Sequence, residues 1–144
     1  MRVIGNVLWL VLGGIEMAIL YVIAGLIAVL PIVTIPLVVP AFRLAGYTLW
    51  PFGRVVVRQH RAGAGSAVGN VVWFVLVGWL LALGHVLFAL LNAITIIGIP
   101  FALAHLKLAG LALRPYGKDV VDRRMAHQHE VVLGAPALPA GNPA

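Results

Sequence analysis

Residues 5–30 are apolar almost without interruption, and so are residues 69–93. A helix needs about 20 residues at 1.5 Å rise to cross about 30 Å of hydrocarbon, so each run predicts a membrane helix. A break follows each run, "LPIVTIP" at 30–36 and "TIIGIP" at 95–100, with Pro36, Gly98 and Pro100 as the interrupting residues. Shorter apolar runs come next, over about 37–50 and 101–113. At about 20 Å these second runs leave two arrangements open. Each returns fully across a thinned or tilted boundary, or the break is a re-entrant element shielded by protein. The complete hairpin is the expected one.

The resemblance between the two halves is a repeat at an offset of 64 positions. "GNVLWLVLGG" (5–14) lies over "GNVVWFVLVG" (69–78), and "FRLAGYTLWPFGRVVV" (42–57) lies over "LKLAGLALRPYGKDVV" (106–121). Gly5, Asn6, Trp9, Gly14, Pro36, Ala45, Gly46, Pro51 and Gly53 all recur, which shared hydrophobicity alone does not produce. The expected organisation is a first membrane repeat over 3–57, a linker over 58–68, a second repeat over 69–121 and a flexible tail over 122–144. The fold class that follows is all-α integral membrane, with four elements forming two parallel helical-hairpin repeats.

Composition strengthens that reading. Hydrophobic residues make up 62% of the 144 and charged residues 10%, far from the half and quarter of a soluble domain. The N-terminal run is too long for a signal peptide's apolar region and reads as a retained membrane helix. The net charge of +6 lies beside the apolar runs, so it reports topology and not nucleic-acid binding. Arg2 precedes the first repeat, Arg54, Arg58 and Arg61 follow it, and Arg114, Lys118, Arg123 and Arg124 follow the second. Neither break carries a basic residue. The positive-inside rule then places both termini and the middle segment in the cytoplasm.

Chemistry-bearing residues are few. The absence of cysteine removes disulfides, thiolate metal sites and a cysteine nucleophile. No nucleophile-elbow, zincin or phosphate-loop pattern is present, so neither catalysis nor a cofactor is expected. Four polar residues fall inside the apolar runs as a candidate intramembrane site: Glu16, Arg43, His85 and Lys107. Arg43 and Lys107 are repeat equivalents, and each can snorkel to the interface or face a wet path. Glu16 and Arg43 have similar depths and are suited to an ion pair. His85 and His105 read as packing residues or as a proton relay. His127 and His129 have metal-like spacing but no third ligand. Asn6 and Asn70 begin the long helices, as caps or as a pore constriction in a ring of subunits. Trp9, Trp50, Phe52, Trp73 and Tyr116 read as an aromatic belt.

The stretches "GNVVWFVLVGWLLALGH" (69–85) and "ITIIGIPFALAHLKLAGLALRPYG" (94–117), with the weaker first copy ending in "WPFGR" (50–54), resemble the YccF family of bacterial inner-membrane proteins. That resemblance implies a small polytopic inner-membrane protein carrying its domain twice, and it transfers no catalytic residue. Four short elements leave little room for a pathway within one chain, so a homo-oligomer is expected. Two functions follow: an oligomeric ion channel or transport protein, with ions or anionic lipid headgroups as ligands, or a non-catalytic scaffold or accessory subunit in the bilayer.

Overall fold

The computed structural model describes residues 2–29, 35–59, 63–124 and 131–133. The first long helix consists of α1 (Arg2–Trp9), a π-helical turn (Leu10–Gly14) and α2 (Ile15–Val29). Helix α3 (Ile35–Leu49) and strand β1 (Arg54–Arg58) complete the first unit. The second unit repeats the order with α4 (Ala64–Trp73), a π-helical turn (Phe74–Gly78), α5 (Trp79–Ala93), α6 (Ile99–Leu113) and β2 (Lys118–Asp122). Strand β3 (Val131–Leu133) follows. Arg2–Ala28 and Ala64–Ala93 are long and apolar enough to cross a membrane. At 15 residues each, α3 and α6 are about 22 Å long.

The recurring residues form one local device used twice. The indole of Trp9 lies where a side chain on Gly14 would stand, and the indole of Trp73 lies likewise against Gly78. Each Nε1–H donates to a carbonyl in the last turn of the return helix, Trp9 to Thr48 at 2.6 Å and Trp73 to Ala112 at 2.7 Å. Last-turn carbonyls have no helical partner, so these bonds satisfy groups that lipid could not. Both indoles are fully buried, so Trp9 and Trp73 are bundle fasteners and not part of an interfacial belt. Trp73→Phe keeps an aromatic ring, though a smaller one, and removes the donor. It is expected to cost about 1–2 kcal/mol in thermal unfolding in detergent.

Asn6 and Asn70 form the second fastener. Asn6 Nδ2 donates to the Phe52 carbonyl and Oδ1 accepts the Phe52 N–H, both at 3.0 Å. Asn70 makes the same reciprocal pair with the backbone of Tyr116, at 3.3 and 2.9 Å. The amides therefore clamp the Pro-aromatic-Gly turn of their own unit, from inside their helices and not from a cap position. Gly53 (φ 108°) and Gly117 (φ 76°) give those turns a backbone that other residues rarely adopt.

The second break is a tight turn between Ala93 and Ile99. Gly98 packs against the Asn92 carbonyl so closely that a Cβ would collide with it. Pro100 stands in the first turn of α6, where its missing N–H leaves no helical bond unmade. Pro36 lies in the first turn of α3, and residues 30–34 of the first break lie outside the described residues.

The long helices of the two units cross, with Met17 against Gly84, Gly13 against Phe88 and the Leu12 carbonyl against Asn92. Both begin at the same sheet, because Asn6 ties the first to the turn before β1, Asn70 ties the second to the turn before β2, and those strands pair. Tyr21 touches His85, its own repeat equivalent, and Val56 pairs with Val120, also its equivalent. A residue that meets its counterpart lies on a pseudo-twofold axis, so one axis passes through the helix crossing and through the strands.

A three-stranded sheet, ordered β2-β1-β3 and antiparallel throughout, sits on that axis. Val56 joins the helical core and, with Leu44 and Leu111, borders a small void under the sheet. Val55 and Val57 are buried on the other face with Val121. This sheet corrects the all-α expectation in detail: the fold is mostly helical, capped by strands. Arg58 ends β1, Ala64 already begins α4, and Val131–Leu133 is a strand inside the stretch expected to be a flexible tail. Because β1 pairs with β2, and Arg2 packs beside Gly53, the three basic segments gather on one face.

Candidate functional site: a buried histidine pair and two unequal grooves

The first π turn is a true break. Leu12 (φ −92°, ψ 19°) and Gly13 (φ 121°) leave helical geometry, which frees the Leu12 carbonyl from the helix ladder. Two side chains from the second unit reach it: Asn92 Nδ2 donates at 2.8 Å and His105 Nε2 lies at 3.4 Å. The second π turn keeps helical angles, because Val77 stands where Gly13 stands in the first unit and cannot take a positive φ.

His105 is sandwiched between Trp9, with ring centroids 4.3 Å apart, and Phe88 at 5.5 Å. Its Nδ1 faces Nδ1 of His85 at 3.0 Å, and Nε2 of His85 faces the Tyr21 hydroxyl at 3.2 Å. The proton order follows from chemistry. A carbonyl only accepts, so His105 Nε2 carries the hydrogen and its Nδ1 accepts. His85 Nδ1 must then donate, and His85 Nε2 accepts from Tyr21. The result is one directional chain from Tyr21 O–H through two neutral imidazoles to the Leu12 carbonyl. Tyr21, His85 and His105 are all fully buried. Among the described residues no cluster of three metal-ligating side chains exists, so the pair has no third ligand, and His127 and His129 lie outside the described residues.

The other polar candidates separate. Glu16 is exposed on α2 beside the exposed Ile15 and Ile19 and does not meet Arg43. Arg43 instead donates from Nη1 to the Lys118 carbonyl at 2.9 Å and pairs with Asp119 at 3.6 Å. Depth along two helices could suggest the Glu16 pair, but β2 brings a nearer acid to Arg43. These contacts leave about 10 Å³ among Pro40, Arg43, Leu111 and Lys118, and a first groove of about 170 Å³ beside Arg43, lined also by Gln59, Tyr116 and Gly117. Burial, then the Arg114 and Arg58 charges, hold the Lys118 ammonium below its usual pKa. Lys107, the equivalent of Arg43, lines a second and open groove of about 330 Å³ with Tyr47, Arg54, Leu103 and Arg123.

Tyr21 and the contact between His85 and His105 escape a linear reading. One signal existed: Tyr21 and His85 occupy the same repeat position, and both are polar.

The family model described as an inner membrane component domain matches twice, at residues 4–54 and 68–118. The inner membrane protein YccF of Escherichia coli (strain K12) is 33% identical over 130 residues, covering 84% of this chain and 88% of that protein. The protein of the same description from Shigella flexneri matches with the same identity and coverage. No solved structure matches. Two domain matches in tandem and relatives of nearly the same extent place this chain in the YccF family of inner-membrane proteins.

Proposed function

We propose that this inner-membrane protein acts by contact within the bilayer, as a non-catalytic scaffold or accessory subunit, and not as a pore through its own fold. One observation carries this: the crossing of the long helices, where an axial path would run, is filled by Tyr21, His85 and His105, fully buried and bonded to one another. A conducting protomer would need water beside Asn6, Asn70 or Lys107. Asn6 is sealed against the Phe52 backbone, Asn70 is held by Tyr116, and Lys107 opens sideways into a groove. The exposed apolar faces of the long helices suit lipid and a protein partner, a second copy included. Glu16 on such a face favours a partner that offers it a donor, since lipid does not.

The sheet carries Arg54, Arg58, Lys118, Asp119 and Asp122, charges that belong in water or among headgroups. We therefore place the sheet and the basic segments on the cytoplasmic face, with α3 and α6 as short return helices beneath it. Ion flux into liposomes under a chloride gradient and then a potassium gradient tests the reading. The expected result is no flux above protein-free liposomes. Flux that Lys107→Leu abolishes would overturn it in favour of an anion-leaning oligomeric channel.

A further inference from the structure

The pseudo-twofold axis makes the two grooves an internal comparison. Each is built from the basic residue of one unit's return helix and the start of the other unit's strand: Arg43 with Lys118, and Lys107 with Arg54. In the first groove Asp119 neutralises Arg43, and the space beside it is smaller, about 170 Å³. In the second, the equivalent of Asp119 is Val55, so the acid is missing. Arg123 adds a third cation, held in place by its N–H, which donates to the Gly53 carbonyl at 3.0 Å. Its Nε is buried with no hydrogen-bond partner. Arg54 spends one N–H on the Gly46 carbonyl at 3.2 Å. No carboxylate lines this groove among the described residues, yet it stays open at about 330 Å³. Asp122 stands opposite Arg54 in the strand register, but it accepts the Arg124 N–H and does not line the groove. Three cations with no carboxylate between them repel one another, and an anion supplied from outside relieves that.

The rest of the lining gives the anion's class. Pro100 and Leu103 continue the groove along α6, away from the charges. A cationic mouth above an apolar wall matches a phosphate with an acyl chain attached. We propose that the open groove binds an anionic phospholipid, with its phosphate between Lys107, Arg54 and Arg123 and a chain along Leu103 and Pro100. The inference rests on the membrane placement of the family and is independent of the scaffold reading.

Native mass spectrometry of the full chain in detergent tests it, with phosphatidylglycerol, phosphatidylcholine and inorganic phosphate as the three probes. The parent protein is expected to retain one phosphatidylglycerol in preference to phosphatidylcholine. Lys107→Ala and Arg123→Gln are each expected to weaken that binding about tenfold, the scale of one charge-assisted contact. Lys107→Arg is expected to keep it. Lys107 is exposed, so its replacement leaves the core intact, and thermal unfolding of each variant verifies this. Equal retention of both lipids, unchanged binding by both charge-removing variants, or displacement by inorganic phosphate at the lipid's own concentration would each overturn the proposal.

Discussion

Gly13→Val is expected to prevent stable folding, whereas the mirror exchange Val77→Gly is tolerated. Gly13 sits at φ 121°, where a β-branched residue is strained by a few kcal/mol, on the order of 1–3. Its absent side chain is also the space that the second unit occupies. A Cβ at this position would stand 2.5 Å from Phe88 Cδ1 and 3.0 Å from His105 Nε2. Displacing two packed rings adds about 1–3 kcal/mol. The sum, about 2–6 kcal/mol, is a large part of a typical domain's stability. Val77→Gly loses helix propensity and some packing, about 1–2 kcal/mol. Unfolding midpoints of the two variants in one detergent make the comparison. A Gly13→Val protein as stable as its parent would show that the backbone break is dispensable.

The second large effect is expected from the histidine pair, and its signature is non-additivity. His105→Phe leaves the His85 Nδ1–H without an acceptor and removes one donor from the Leu12 carbonyl. An unsatisfied buried group costs about 1–3 kcal/mol. His85→Phe strands the Tyr21 hydroxyl and the His105 Nδ1 in the same way. In the double variant both ends of the central bond disappear together, so its cost falls short of the two single costs added. Interhelical hydrogen bonds in membrane proteins suggest a coupling of about 1 kcal/mol. A double-mutant cycle on thermal unfolding reads it directly. Strict additivity would mean that the 3.0 Å contact between the rings holds nothing.

The pair also bears on evolution within the chain. Position 85 is histidine and its equivalent is Tyr21, while His105 answers to Ala41 and Asn92 to Ala28. The duplication supplied two identical positions facing each other across the axis. Divergence then let one side donate and the other accept, which two copies of one residue do less readily. The same divergence separates the grooves, where Asp119 neutralises the basic residue of one and Val55 leaves the other without an acid.

Much of this was readable from the linear chain, for a physical reason. Hydropathy, helix length and the spacing of Gly98 and Pro100 are local properties. They determine the long helices, the turns and the repeat whatever packs against them. Packing decided the rest. The crossing of the two units leaves no trace in periodicity, because nearly every helix face is apolar. "RVVVR" and "KDVVD" have a β-branched core, but five residues make a strand only when a partner 64 positions away supplies the hydrogen bonds. Arg43 could find Asp119 rather than Glu16 only once β2 lay across α3. The Leu12 carbonyl became an acceptor only because a helix break and two side chains from the other unit arrive at one point. Apolar runs dictate where this chain resides. The pairing of its few polar groups depends on a fold that brings residues 80 or 93 positions apart within hydrogen-bonding distance.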